Sequence, residues 1–70
     1  MERMSLDSEA LHSVGYDAAR RVLEVEFSSG RVYQYFDVPR QEVERLLRAD
    51  SHGAYFSGHM RDRYRYEQVH

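Results

Sequence analysis

Residues Arg21 to Phe36, RVLEVEFSSGRVYQYF, decide the fold. Leu23, Val25 and Phe27 alternate with Glu24 and Glu26, the period-2 pattern of a strand with one face buried and one wet. Ser28-Ser29-Gly30 breaks that pattern, and Arg31 to Phe36 resumes it, so the stretch reads as a β-hairpin. The turn fixes which face receives Tyr33 and Tyr35. A two-residue Ser29-Gly30 loop would set Phe27 opposite Val32 and turn both tyrosines toward the glutamates. A three-residue loop with Gly30 left-handed sets Phe27 opposite Arg31 and brings both tyrosines to the face of Leu23, Val25 and Phe27. Ser-Gly suits neither a type I′ nor a type II′ turn, which favours the longer loop and inward tyrosines. Val32, Gln34 and Phe36 then share the opposite face, where Phe36 needs cover from a helix or from the final strand.

Working outward toward the N-terminus, Leu11 to Asp17, LHSVGYD, reads as a preceding strand with Val14 and Tyr16 on one face. Gly15 within it permits a close backbone approach or a bulge. Asp17 to Arg20 supplies the turn. Met1 to Ser8 shows no sustained period, so residues 1–7 are expected as a flexible tail and 8–70 as a single domain.

Toward the C-terminus, Pro39 stops the hairpin and suits the start of a helix. In PRQEVERLLRAD, Val43, Leu46 and Leu47 recur at i, i+3 and i+4, while Arg40, Glu44, Arg45 and Arg48 stay outside, an amphipathic helix. Ser51 can cap a second, short helix, SHGAYFSGHM, that buries Tyr55, Phe56 and Met60. Arg61 to Val69, RDRYRYEQV, reads as the final strand. The expected fold class is therefore α+β. It comprises a small antiparallel meander, one amphipathic helix, a short helix and a last strand that either rejoins the sheet or closes a small SH3-like barrel.

Composition narrows the function classes. Seventy residues without cysteine exclude disulfide scaffolds, thiolate nucleophiles and cysteine-bound zinc. No run is long and apolar enough to cross a membrane, and a cytoplasmic location is expected. Net charge is −2, and all ten basic residues are arginine. Lysine, isoleucine and asparagine, with AT-rich codons, are missing, as a GC-rich bacterial genome would explain. The negative balance offers no global attraction to nucleic acid.

Local patterns carry more. On a regular strand, Arg61, Arg63 and Arg65 would project from one face and Tyr64 and Tyr66 from the other. Such a row, about 7 Å between neighbours, could track phosphates, or could pair with Glu24 and Glu26 across the sheet. Asp50-Ser51-His52 is contiguous, whereas a nucleophile–base–orienter chain is built from residues distant in sequence, so helix capping explains Ser51 better. His12, His52, His59 and His70 lack metal-ligand spacing. Neither a catalytic residue, a metal, a cofactor nor a small-molecule substrate is expected.

Taken in order, Ser8-x-x-Leu11, Val14-Gly15-Tyr16-Asp17, Leu23-x-Val25-x-Phe27, Gly30-x-Val32-Tyr33-x-Tyr35, Val38-Pro39 and Ala49-x-Ser51-x-Gly53-x-Tyr55-Phe56 resemble the KTSC family. Its members are small bacterial domains, some of them at the C-terminus of lysyl-tRNA synthetases. A tyrosine-x-tyrosine pair, here Tyr33 and Tyr35, is their hallmark. The family has no established activity, and its synthetase fusion implies RNA as a candidate partner. The expected function is a non-catalytic module that binds RNA, such as tRNA, through Arg61, Arg63 and Arg65, with Arg31 nearby and Tyr33 and Tyr35 structural. The alternative is a protein-interaction domain using the closing strand's edge or the Tyr55-Phe56 region.

Overall fold

The computed structural model describes the whole chain, Met1 to His70. Five strands follow one another across a single antiparallel sheet in the order β1-β2-β3-β4-β5. They are β1 (Met4–Ser5), β2 (Leu11–Asp17), β3 (Val22–Phe27), β4 (Val32–Tyr35) and β5 (Tyr66–Gln68), with β1 and β5 as edges. Between β4 and β5 run helix α1 (Arg40–Arg48), the short helix α2 (His52–Tyr55) and a single π-helical turn, Phe56–Met60.

The hairpin takes the three-residue loop. Gly30 has φ +93°, and its N–H donates to the Phe27 carbonyl at 2.9 Å. Phe27 N–H in turn donates to the Arg31 carbonyl, also at 2.9 Å. This register sets Val25 opposite Tyr33 and Leu23 opposite Tyr35, so both tyrosines lie on the core face. Leu23 and Val25 are fully buried there, together with Leu11, Val14, Tyr35 and Val38. The helices roof this face: Val43 and Leu46 from α1, with Phe56 and Met60 one helical turn apart on the π segment, complete the core. Tyr16 closes one end by donating its hydroxyl to the Val38 carbonyl at 2.6 Å.

Helix α1 begins at Arg40, with Pro39 as its N-cap rather than its first helical residue. Ser51 caps α2 by accepting from the Ala54 N–H at 3.2 Å. In β2 the bulge falls at His12, between Leu11 and Ser13, and Gly15 serves the close approach instead. A Cβ at Gly15 would stand 2.5 Å from the Glu2 carbonyl oxygen, so only glycine admits the N-terminal segment here.

That segment carries structure its composition does not announce. Met4 and Ser5 pair with Val14 and Ser13 as the edge strand β1. Arg3 reaches Glu24 at 3.6 Å and Glu26 at 4.0 Å, the two carboxylates that the sequence offers as one alternative for the C-terminal arginines. Gln34 also donates to Glu24, at 3.0 Å, and Ser13 to Glu26, at 2.8 Å.

The closing strand is shorter than its alternation suggests. Arg61 to Arg65 form a turn, and β5 holds only Tyr66 to Gln68. The reason lies in its neighbour. β4 ends at Tyr35, and the chain turns away at Asp37, whose φ is +58°. Phe36 N–H still bonds the Arg65 carbonyl at 2.9 Å, but residues before Arg65 have no strand to pair with.

Candidate functional site

The turn distributes its side chains in three directions, so Arg61, Arg63 and Arg65 do not form one face. Arg65 lays its guanidinium over the Phe36 ring, 5.1 Å from its centre, and so gives Phe36 its cover. Arg63 stands 3.7 Å from the Glu42 carboxylate. Arg61 alone lines a cleft, where it joins Arg31 from the hairpin. Tyr64 and Tyr66 separate likewise, the first toward Glu42 and the second into the cleft.

Glu42 organises the inner group. Only 2% exposed, it accepts hydrogen bonds from the hydroxyls of Tyr55 and Tyr64, the latter at 2.8 Å. Burial pushes its carboxyl upward, but the two phenols, Arg63 and Arg45 outweigh burial and hold it below its usual value. Burial and the Glu42 carboxylate together push the Tyr64 phenol up to about 12. No buried polar side-chain atom of this group lacks a hydrogen-bond partner, as a buried charge requires. The sequence does hold a signal for it: Glu42 lies four residues before Leu46, on the apolar stripe of α1.

The cleft is a different construction from the same residue types. It holds about 430 Å³ between the hairpin, β4, the π turn and β5. Tyr33, Tyr35 and Tyr66 form its aromatic wall, with ring centres 5.5 to 6.4 Å apart. Phe27 and Phe56 back that wall edge-on. Tyr35 is 3% exposed and belongs to the core as well as to the cleft, whereas Tyr66 is 55% exposed. Burial, reinforced by the neighbouring Tyr33 and Tyr66, pushes the Tyr35 phenol up to about 12.

None of the hydroxyls of Tyr33, Tyr35 and Tyr66 bonds to another protein group, whereas those of Tyr16, Tyr55 and Tyr64 all do. Arg31 and Arg61 take part in none of the chain's ion pairs. Asp62, beside Arg61 at the cleft, is likewise unpaired. The cleft thus presents the rings of Tyr33 and Tyr66, three hydroxyls without protein partners, two cations and one carboxylate. Tyr66 stood in the sequence with Tyr64 opposite the arginines, whereas Asp62 is the cleft charge that sequence reasoning did not single out. No local pattern pointed to it: the π turn, which bonds Arg61 N–H to the Phe56 carbonyl at 2.9 Å, re-aims the residues after it.

Sheet, helical roof and aromatic cleft define a small α+β domain of a single compact type. The KTSC domain model matches residues 7–64, and the chain belongs to this family. An uncharacterised protein of Stutzerimonas stutzeri is 51% identical over 57 residues, covering 81% of this chain and 80% of that one. A lysine–tRNA ligase of Trichormus variabilis is 41% identical over 54 residues, which span 77% of this chain and 10% of the ligase. The crystal structure of a KTSC domain protein from Yersinia pestis superposes with a TM-score of 0.95 at 29% identity, over 99% of this chain and 97% of that one. No helix is long and apolar enough to cross a membrane.

Proposed function

We propose that the domain is a non-catalytic binding module for single-stranded segments of RNA, such as the unpaired regions of tRNA, and that the aromatic cleft is its site. The observation that carries this reading is the pairing of unsatisfied tyrosines with unpaired arginines at one concavity. An unstacked base finds a ring to lie on at Tyr66 or Tyr33, and such stacking contributes about 1–3 kcal/mol per base. Arg31 and Arg61 flank that ring and meet the phosphates, while Arg63 and Arg65 are engaged within the protein. The presence of related segments in lysine–tRNA ligases supports tRNA as a partner, and an RNA partner agrees with a cytoplasmic location. Of the row Arg61, Arg63 and Arg65 expected from the sequence, Arg61 remains, joined by Arg31 and by three tyrosines.

Two phosphate contacts on a chain of net charge −2 predict weak binding, about 10⁻⁴ to 10⁻⁶ M, with a log–log salt slope of about −1.4. Titrating the labelled domain with oligo(U) and bulk tRNA at two salt concentrations tests this. Binding that weakens with salt and is lost in the Arg31→Ala/Arg61→Ala double variant, but kept in Arg65→Ala, is the expected outcome. No binding at low salt would sink the RNA reading.

A further inference from the structure

Asp62 is out of place in a site built only for phosphate. It follows Arg61 directly, lines the same cleft, is exposed, and pairs with none of the ten arginines. Arg63, on its other side, is held by Glu42. Its carboxylate lies close enough to the Tyr35 phenol to contribute to that group's upward shift.

A carboxylate accepts hydrogen bonds and donates none, and it repels a second anion. On an RNA strand, which carries no cationic group at neutral pH, whatever meets Asp62 must therefore be an uncharged donor standing next to the phosphate that meets Arg61. Base donors differ from one nucleotide to the next. The ribose 2′-hydroxyl is a donor present at every nucleotide of RNA, it neighbours the 3′-phosphate, and DNA lacks it. We infer that Asp62 reads the ribose 2′-hydroxyl, so that the Arg61-Asp62 pair matches one phosphate and one sugar hydroxyl of the same nucleotide and makes the cleft selective for RNA over DNA. This rests on the RNA-binding reading of the cleft and adds a specificity-determining residue to it.

Labelled ribo-U8 and deoxyribo-U8 carry the same base, so their affinity ratio isolates the 2′-hydroxyl. The two would be titrated at low salt against the native domain and against Asp62→Ala, Asp62→Asn and Arg61→Ala, each checked for folding by circular dichroism. The native domain should prefer the ribo strand by about five- to tenfold, the scale of one charge-assisted hydrogen bond at a partly wet site. Asp62→Ala should bring the ratio near one and leave deoxyribo-U8 binding equal or tighter, because a repulsive charge is gone. Asp62→Asn should lie between, since its amide carbonyl still accepts. Arg61→Ala should weaken both strands alike.

A native ratio near one would overturn the inference while the binding reading stood. A preference that survives Asp62→Ala would take the role from Asp62. Binding of neither strand would overturn this inference together with the reading beneath it.

Discussion

The Glu42 cluster and the aromatic cleft draw on the same two residue types, tyrosine and arginine, and use them oppositely. Around Glu42, two phenols and one guanidinium converge on a buried carboxylate, and both hydroxyls donate to it. In the cleft, three phenols and two guanidiniums line one concavity without hydrogen bonds or ion pairs to other protein groups. The two regions meet in the turn from Arg61 to Arg65, where Arg61 goes to the cleft and Arg63 to Glu42. On the proposed reading, what separates structural from ligand-facing tyrosine is the fate of the hydroxyl, since Tyr35 is only 3% exposed, belongs to the core and also lines the cleft.

The largest effects should come from the wall they share with the core. Tyr35→Ala removes a ring packed against Phe56, Tyr33 and Tyr66 and should cost about 3–5 kcal/mol. That approaches the whole stability of so small a chain, about 0.05–0.15 kcal/mol per residue, so urea titration should find it largely unfolded. Tyr66→Ala, on the open side of the same wall, should change stability by less than about 1 kcal/mol and weaken RNA binding. If Tyr66→Ala unfolded the domain, the cleft would be core rather than site.

Glu42→Gln should cost about 1–3 kcal/mol, because it removes a charge that two hydroxyls and Arg63 are arranged around. Its pH signature has a definite sign. The folded carboxyl titrates below its usual 4.5, so it binds its proton less readily in the folded chain than in the unfolded one. Its contribution is complete above pH 4.5 and is lost as pH falls through the lower folded value. The urea midpoint of the native domain should therefore drop more steeply below pH 4.5 than that of Glu42→Gln. Parallel curves would remove Glu42 from the account.

The arginines should divide in the same way by smaller amounts. Arg63→Ala should lower stability by less than about 1 kcal/mol, because its side chain is mostly exposed, and should leave binding unchanged. Arg61→Ala should do the reverse, with no change in midpoint and a several-fold loss of RNA affinity. Equal effects of the two on binding would restore the continuous arginine row and contradict the division of the turn.

The sequence carried the sheet well, for identifiable reasons. Strict alternation in Leu23 to Phe27 and a glycine able to take φ +93° fixed the hairpin register, and with it the inward face of Tyr33 and Tyr35. Spacing in Val43, Leu46 and Leu47 fixed the inner face of α1. Alternation misled in Arg61 to Arg65, because it says where side chains would point if a partner strand existed, and β4 ends before one does. The N-terminal strand escaped notice because two residues have no period; its evidence lay in Gly15, which makes room for Glu2. The cleft joins the hairpin to the distant stretch from Phe56 to Tyr66 through a π turn, and no local pattern announces that meeting.

One pair of substitutions tests the contrast most directly, since it makes the same chemical change in both regions. Tyr64→Phe and Tyr35→Phe each remove a single hydroxyl without emptying the core. Urea unfolding of both at neutral pH, with oligo(U) titration alongside, should show Tyr64→Phe destabilised by about 1–3 kcal/mol with its RNA affinity intact, because Glu42 loses a buried donor. Tyr35→Phe should unfold within about 0.5 kcal/mol of the native domain and bind RNA more weakly. Equal destabilisation, or binding that follows Tyr64 and ignores Tyr35, would contradict the assignment of one tyrosine set to the fold and the other to the ligand.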